Sequence, residues 1–322
     1  MMRRAFLAKG LIVGAITLGL ATAATAQEKI TVYSAGPANL IETLAKGFTA
    51  KTKIPVSVFQ GTTGKVMARI EAEASNPVVD VLISASWDTA TDFSKRGWLL
   101  PYTSPNAAKV PDFLKTKDAV AQGVSALAIA WNPKSGTPRP TDWADLAKPP
   151  FKDLVTMPDP AESGATFELV AALQGENFQL FKNLNANGMV VAGANAAALT
   201  PVLQGAKAAV FGAVDYISLG GAAKGESIEV IFPTSGTVIA PRPMLILNWS
   251  KQPDSAKAFI DYVLSDEGQA AVAKVYLMPA RTDVKADRPL IGDLKIISVD
   301  TDKVYAARKE ILSGFNAATG GK

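Results

Sequence analysis

Three times between residues 30 and 96, an apolar run ends in small hydroxyl or glycine residues and then turns into an amphipathic segment. Ile30-Thr31-Val32-Tyr33 leads through Ser34-Ala35-Gly36-Pro37 into a helix over 38–52, with Leu40, Ile41, Leu44, Ala45 and Phe48 on one face. Pro37 suits the first turn of that helix, where its missing N–H costs nothing. Val56-Ser57-Val58-Phe59 leads through Gln60-Gly61-Thr62-Thr63-Gly64-Lys65 into a helix carrying Val66, Met67, Ile70 and Ala74, which stops at Ser75-Asn76-Pro77. Residues 78–83, apolar almost throughout as a parallel strand covered on both faces is, lead through Ser84-Ala85-Ser86-Trp87-Asp88 into a helix ending at Arg96. Repeated strand–turn–helix units predict an α/β fold built on doubly wound sheets. Ligands of such sheets bind beyond the carboxyl ends of the strands, where all three junctions fall.

The same chemistry returns later in the chain. Leu154-Val155-Thr156-Met157 reads as a strand ending in Pro158-Asp159-Pro160, and Ser163-Gly164-Ala165-Thr166 opens a helix through Leu173. Residues 124–131, 208–212 and 228–233 read as strands, 192–204 as a turn and helix, and Asp215-Tyr216 as a helix start. Residues 255–274 read as one amphipathic helix. The extended run 237–247 contains Pro241 and Pro243, which argues against a central strand and for a bent crossing between lobes.

The first 26 residues stand apart. Arg3, Arg4 and Lys9 precede an apolar run over 11–20, and Ala24-Thr25-Ala26 has the small-x-small form of a cleavage site, so residues 1–26 are predicted to be a Sec-type signal peptide. The run is too short and too interrupted to predict a permanent membrane helix. Those three basic residues are the leader's only charges, so its loss lowers the net charge from +4 to +1 and leaves no nucleic-acid footprint. The remainder exceeds what one core usually serves, which predicts two lobes.

The chain has no Cys and no His. A thiol nucleophile, a zinc site of the usual ligands and a Ser-His-Asp triad are thereby excluded. No cofactor or metal is expected. Catalysis by carboxylates alone stays open in principle, but nothing in the sequence pairs them.

The hydroxyl and glycine junctions predict an anion site. Ser34, Ala35 and Gly36; Thr62, Thr63 and Gly64; Ser84, Ala85 and Ser86; and Ser163 with Gly164 can each turn main-chain N–H groups toward an oxyanion at a helix start. Each is also an ordinary N-cap taken singly, a feature contributing ~1 kcal/mol to stability. Trp87 either walls the cleft or packs on the first lobe. Asp159, Asp215 and Tyr216, with Glu162, are candidates for an ammonium or sugar hydroxyls, with helix capping as the competing role for the two aspartates. Arg242 is expected to pair with a structural carboxylate, with a ligand anion as the competing partner. Gly61 to Lys65 is not a P-loop, having two residues between its glycines rather than four, and Val66 after the lysine.

The order of these signals, with Asp80-Val81-Leu82-Ile83-Ser84, the run 126–131 ending in Asn132-Pro133, the stretch 254–268 with its Leu-Ser-Asp-Glu-Gly-Gln ending at Gln269, and Leu277-Met278-Pro279-Ala280-Arg281, resembles the extracellular solute-binding proteins of bacterial ABC importers. The resemblance is to the group that includes ferric-iron, phosphonate and sugar-phosphate binders. It implies a type II periplasmic-binding-protein fold with lobes over 27–123 plus 240–278 and 124–239 plus 279–322. It also implies a monomer in the periplasm that captures a small anionic ligand and delivers it to an ABC permease. Iron binders of this group use an adjacent tyrosine pair; here the matching position is Asp215-Tyr216-Ile217, and a site built from Tyr216, Asp215 and Tyr33 is the conceivable iron set, which keeps ferric iron as the alternative ligand.

Overall fold

The structure, a computed structural model, describes residues 29–321. The leader expected over residues 1–26 lies outside the described residues. Strands and helices alternate from the start: β1 (Ile30–Ser34), α1 (Ala38–Thr52), β2 (Val56–Gln60), α2 (Thr63–Ala72), β3 (Val81–Ile83) and α3 (Asp88–Lys95). A twelve-residue strand follows, β4 (Val120–Trp131). Then come β5 (Val155–Met157), α4 (Gly164–Leu173), α5 (Gln179–Ala186), β6 (Val190–Val191), α6 (Asn195–Leu203), β7 (Ala209–Val214), α7 (Asp215–Ala223) and β8 (Glu229–Ile231). The chain closes with β9 (Ile239–Ile246), α8 (Pro253–Val263), α9 (Asp266–Lys274), β10 (Met278–Pro279), α10 (Thr301–Ala306) and α11 (Arg308–Thr319).

β4 is the spine that joins two half-sheets. Its first part pairs with β9 and β10, its second part with β7 and β8. The strand order is β2-β1-β3-β9-β4-β7-β5-β6, with β1, β2 and β3 parallel. In the order 2-1-3 the connections leave β1 in opposite directions, which opens a crevice at its carboxyl end. Every residue of β4 is buried, and the sequence there alternates small and aliphatic residues without a charge.

Two hydrophobic cores flank the spine and define the two lobes. The first packs α1 (Leu40, Leu44, Phe48) and α8 (Phe259, Val263) on β1, β3 and β9. The second gathers Trp143, Phe167, Phe181, Phe211 and Phe315. Phe181 meets Phe211 and Phe315 edge-on, with ring centroids 5.8 and 5.3 Å away.

Three sequence expectations are corrected. Residues 237–247 are a central strand over most of their length: β9 lies inside the sheet between β3 and β4, and only the entry at Val238 passes between the half-sheets. Its prolines are tolerated because the β4–β9 ladder is irregular between Ala121 and Val124, opposite Pro243 and Pro241. Residues 255–274 form two helices, not one. Ser265 ends α8 and caps α9, its Oγ accepting from the Gly268 amide at 3.3 Å and donating to the Tyr262 carbonyl at 2.7 Å. Gly268 is required at that elbow, since a Cβ there would overlap the Tyr262 and Val263 carbonyl oxygens. The third strand is shorter than 78–83, running over Val81–Ile83; Asp80 just before it accepts with its carboxylate from the Thr31 amide and the Ser250 hydroxyl.

Candidate functional site

Three helices begin at one small cavity between the lobes. The N-terminus of α2 supplies Thr62 and Thr63, that of α4 supplies Ser163, and that of α6 supplies Asn195 and Ala196. Thr62 caps α2 by accepting from the Lys65 amide at 3.2 Å, and Ser163 caps α4 by accepting from the Thr166 amide at 3.3 Å. Ala194 caps α6 without a side-chain hydrogen bond. First-turn amides of a helix have no intrahelical main-chain acceptor; those of Gly64, Lys65, Gly164 and Thr166 donate to the Glu162 carbonyl and to Thr62, Thr63 and Ser163, so these three ends bring partial positive charge and their remaining first-turn amides to one place. The cavity measures about 130 Å³. It continues past Gly36, Gln60, Ala196 and Tyr216 into a solvent-facing cleft of about 720 Å³.

Arg242 reaches this cavity from β9. Its residue is 1% exposed, yet no carboxylate meets it. Nη1 donates to the Ala35 carbonyl at 3.2 Å and Nη2 to the Tyr216 phenol oxygen at 3.4 Å, while Nε is buried without a partner. A buried cation with no counter-charge is costly, and in a folded protein it is normally matched by an anion. Burial raises the Tyr216 phenol above its ordinary value although Arg242 opposes the shift, so the hydroxyl keeps its proton. With its oxygen occupied by Arg242, that hydrogen is available to donate to a ligand oxygen.

Asp215, a candidate counter-ion in sequence, is taken. Asp215, fully buried, pairs with the equally buried Arg288 and also accepts from the Ala126 and Tyr216 amides at 2.9 and 2.7 Å. Asp215 therefore positions the start of α7 and does not line the cavity. Against expectation, Asp215 lies outside the cavity lining, and of the two partners open to Arg242 a structural carboxylate is absent among the described residues.

Of the residues expected at the site, Ala35, Gly36, Thr62, Thr63, Ala85, Ser163 and Tyr216 line the cavity. Ser34 lies beneath it, its Oγ accepting from the Gly36 amide at 3.1 Å. Gly64 and Gly164 are where the lobes touch. The Gly64 amide donates to the Glu162 carbonyl and the Gly164 amide to Thr63 Oγ1, each at 3.4 Å. A Cβ on Gly64 would stand 2.9 Å from the Ala161 carbonyl oxygen, and one on Gly164 would stand 2.8 Å from the Ser86 Cβ.

The third junction does not face the cavity with its hydroxyls. Ser84 Oγ is 2.8 Å from Thr89 Oγ1, and Ser86 Oγ donates to Glu168 at 2.6 Å. Trp87 is buried in the first core, and Asp159 closes a loop by accepting from the Ala161 amide at 2.8 Å. Sequence reasoning read the helix over 192–204 without placing its start at the site, and ranked a structural pairing of Arg242 above a ligand role. The available signal for the latter was an arginine between two prolines with no acidic neighbour on its own strand.

The tyrosine-based iron set does not assemble. Tyr33 donates its hydroxyl to Glu73 at 2.6 Å beneath the Arg69 guanidinium, and Asp215 is held by Arg288. Among the described residues no group of three or more acidic side chains is gathered to hold a metal ion.

Comparison with known proteins agrees with this architecture. The chain is 27% identical over 316 residues to an uncharacterized protein of Haemophilus influenzae, with 91% of this chain and 90% of that protein covered. It is 25% identical over 280 residues to a putative 2-aminoethylphosphonate-binding periplasmic protein of Salmonella typhimurium, covering 80% and 81%. Among solved structures, the periplasmic binding protein AfuA of Actinobacillus pleuropneumoniae, with fructose-6-phosphate bound, superposes with a TM-score of 0.83 at 24% identity, covering 91% and 99%. Iron-bound HitA of Pseudomonas aeruginosa superposes with a TM-score of 0.79 at 23% identity, covering 90% and 99%. Both likenesses establish the type II periplasmic-binding-protein fold. The family model for bacterial extracellular solute-binding proteins matches residues 76–306, and the chain belongs to that family.

Proposed function

We propose that this protein is the exported, periplasmic ligand-capturing component of an ABC importer and that its ligand is a small phosphonate or organophosphate of the 2-aminoethylphosphonate kind. One observation carries the reading: Arg242 is buried, lacks a carboxylate and lines a cavity on which three helix N-termini converge. A tetrahedral oxyanion satisfies the guanidinium and the first-turn amides at once. Glu162, on the opposite lobe, lines the same cavity and supplies a carboxylate for an ammonium group. The cavity of about 130 Å³ is small, which suits a compact zwitterion. A sugar phosphate is the second reading, favoured by the wider cleft beyond Tyr216, into which a sugar would extend.

Opening is part of the reading: Arg242 is 1% exposed between the two lobes, and their separation widens the approach to it. The hinge falls where β4 passes from one half-sheet to the other, at Ala126 and Leu127, and where Val238 leads into β9; the Leu127 amide donates to the Val238 carbonyl at 3.0 Å. The lobes are then 27–123 with 240–278 and 124–239 with the tail through α11, the segment 279–294 lying on the first core through Ala280, Leu290, Ile291 and Leu294, and ligand bridging favours the closed form by its differential affinity. Thermal-shift and calorimetric titration with 2-aminoethylphosphonate, inorganic phosphate, a hexose phosphate and ferric citrate test the assignment. Stabilisation that grows with 2-aminoethylphosphonate concentration is expected. Stabilisation by ferric citrate alone, or turnover of any candidate by the purified protein, would sink it.

A further inference from the structure

Resting on the reading of this protein as a clamp that opens and closes, we propose that Glu168 is a proton-linked latch: lobe closure buries its carboxyl, protonated, against the first lobe, so the closed state gains weight as the medium acidifies. Glu168 sits on α4, in the second lobe, and is 3% exposed. Its Oε1 accepts from Ser86 Oγ at 2.6 Å and from the Trp87 amide at 3.3 Å, both in the first lobe. Neither partner comes from its own side, so the contact exists only while the lobes are together.

The charges around it are unevenly shared. Asp88, at the start of α3, faces Glu168 from the first lobe, and Arg308, at the start of α11, faces it from the second. Arg308 pairs with Asp88 and lies over the Phe167 ring, 4.1 Å from the centroid, which leaves Glu168 without a cation of its own. Of the strands behind α4, β4 and β7 carry no ionisable side chain, and Arg242 of β9 is turned to the ligand cavity. Outward along the same interface, Tyr305 donates to Asp92 at 3.0 Å and Lys95 meets Asp302 at 3.3 Å. Glu71, Arg96, Lys309 and Glu310 line the open groove beyond.

Burial first, and the Asp88 carboxylate second, push the Glu168 carboxyl up to about 7, against the pull of the two hydrogen bonds and Arg308. With the lobes apart the carboxyl meets water and returns toward its ordinary 4.5. Closure therefore takes up a proton. The sign follows: the closed state keeps its full weight below pH 4.5 and loses it as the pH rises through 7.

The absence of cysteine makes a direct test clean. Lys46→Cys on α1 and Lys182→Cys on α5, both exposed, place two dyes on opposite lobes for single-molecule energy transfer. In the ligand-free protein the closed-to-open ratio is expected to fall about tenfold between pH 6 and pH 8. Glu168→Gln, which keeps the acceptor oxygen and carries no charge, is expected to flatten that profile. Asp88→Asn, which removes the like charge, is expected to move its midpoint to lower pH. A flat wild-type profile, no closed population at pH 6, or a full pH slope retained in the Glu168→Gln variant would each overturn the latch. If 2-aminoethylphosphonate fails to raise the closed fraction while the pH slope persists, the ligand assignment falls and the latch stands.

Discussion

The guanidinium carbon of Arg242 lies 5.2 Å from the centroid of the Tyr216 ring, and Nη2 of the arginine donates to the phenol oxygen at 3.4 Å. Arg242 comes from the strand that completes the first half-sheet, and Tyr216 from the first turn of a helix in the second. The pair thus joins the lobes at the ligand cavity, and it holds the cation over an aromatic face rather than beside a carboxylate.

Replacing Arg242 should separate binding from stability. Arg242→Met is expected to weaken 2-aminoethylphosphonate binding by ~3 kcal/mol, roughly two orders of magnitude, since hydrogen bonds to a charged group are lost. The ligand-free melting temperature should not fall, because an unpaired buried charge is exchanged for an apolar chain. Calorimetric titration and a thermal melt on the same sample check both parts.

Gly64 and Gly164 should respond in the opposite sense to most interface residues. Neither adopts a positive φ, so alanine fits the open protein and is expected to stabilise it by ~0.4–1 kcal/mol. In the closed protein the new Cβ of Gly164→Ala meets Ser86 Cβ at 2.8 Å and the Ala85 carbonyl oxygen at 3.2 Å. Small-angle scattering with saturating ligand should show a larger radius of gyration than wild type, and the affinity should drop.

Asp215→Asn should be a folding mutation. It strands the fully buried Arg288, whose other guanidinium nitrogens donate to the Tyr276 and Pro289 carbonyls. Loss of one partner of such a pair costs about 3–5 kcal/mol. Urea denaturation followed by circular dichroism measures it. A change below about 1 kcal/mol (roughly a tenth of a typical domain's stability) would contradict the assignment of Asp215 to structure.

Ferric citrate is expected to produce no tyrosinate-to-iron absorption band. Tyr33 is committed to Glu73 and Asp215 to Arg288, which leaves Tyr216 alone at the cavity. An absorption titration in the visible range decides it.

The helix Ala38–Thr52 was legible to the residue, because its buried face repeats with helical period and its entry and exit carry local signals. The α8–α9 elbow was not. Apolar period runs through it, and only the packing of α9 against the Tyr262 and Val263 carbonyls makes Ser265 a cap rather than an interior residue. The family-marking Gln269 has a structural use there, donating to the Gln122 and Val263 carbonyls at 2.9 and 3.0 Å and accepting from the Ala280 amide at 2.8 Å.

From the sequence alone came the alternating α/β plan, the candidate helix starts at Thr62 and Ser163, and the exclusion of cysteine and histidine chemistry, because these depend on composition and short-range pattern. The tertiary structure decided which polar groups remain free. Ser86, Asp159 and Asp215 have the right chemistry for a ligand, yet Glu168, the Ala161 amide and Arg288 claim them. Arg242 looked structural and meets no carboxylate among the described residues. Whether a charge is spent or available depends on partners far away in the chain: Arg288 lies 73 residues from the aspartate it neutralises, and no local pattern carries that information.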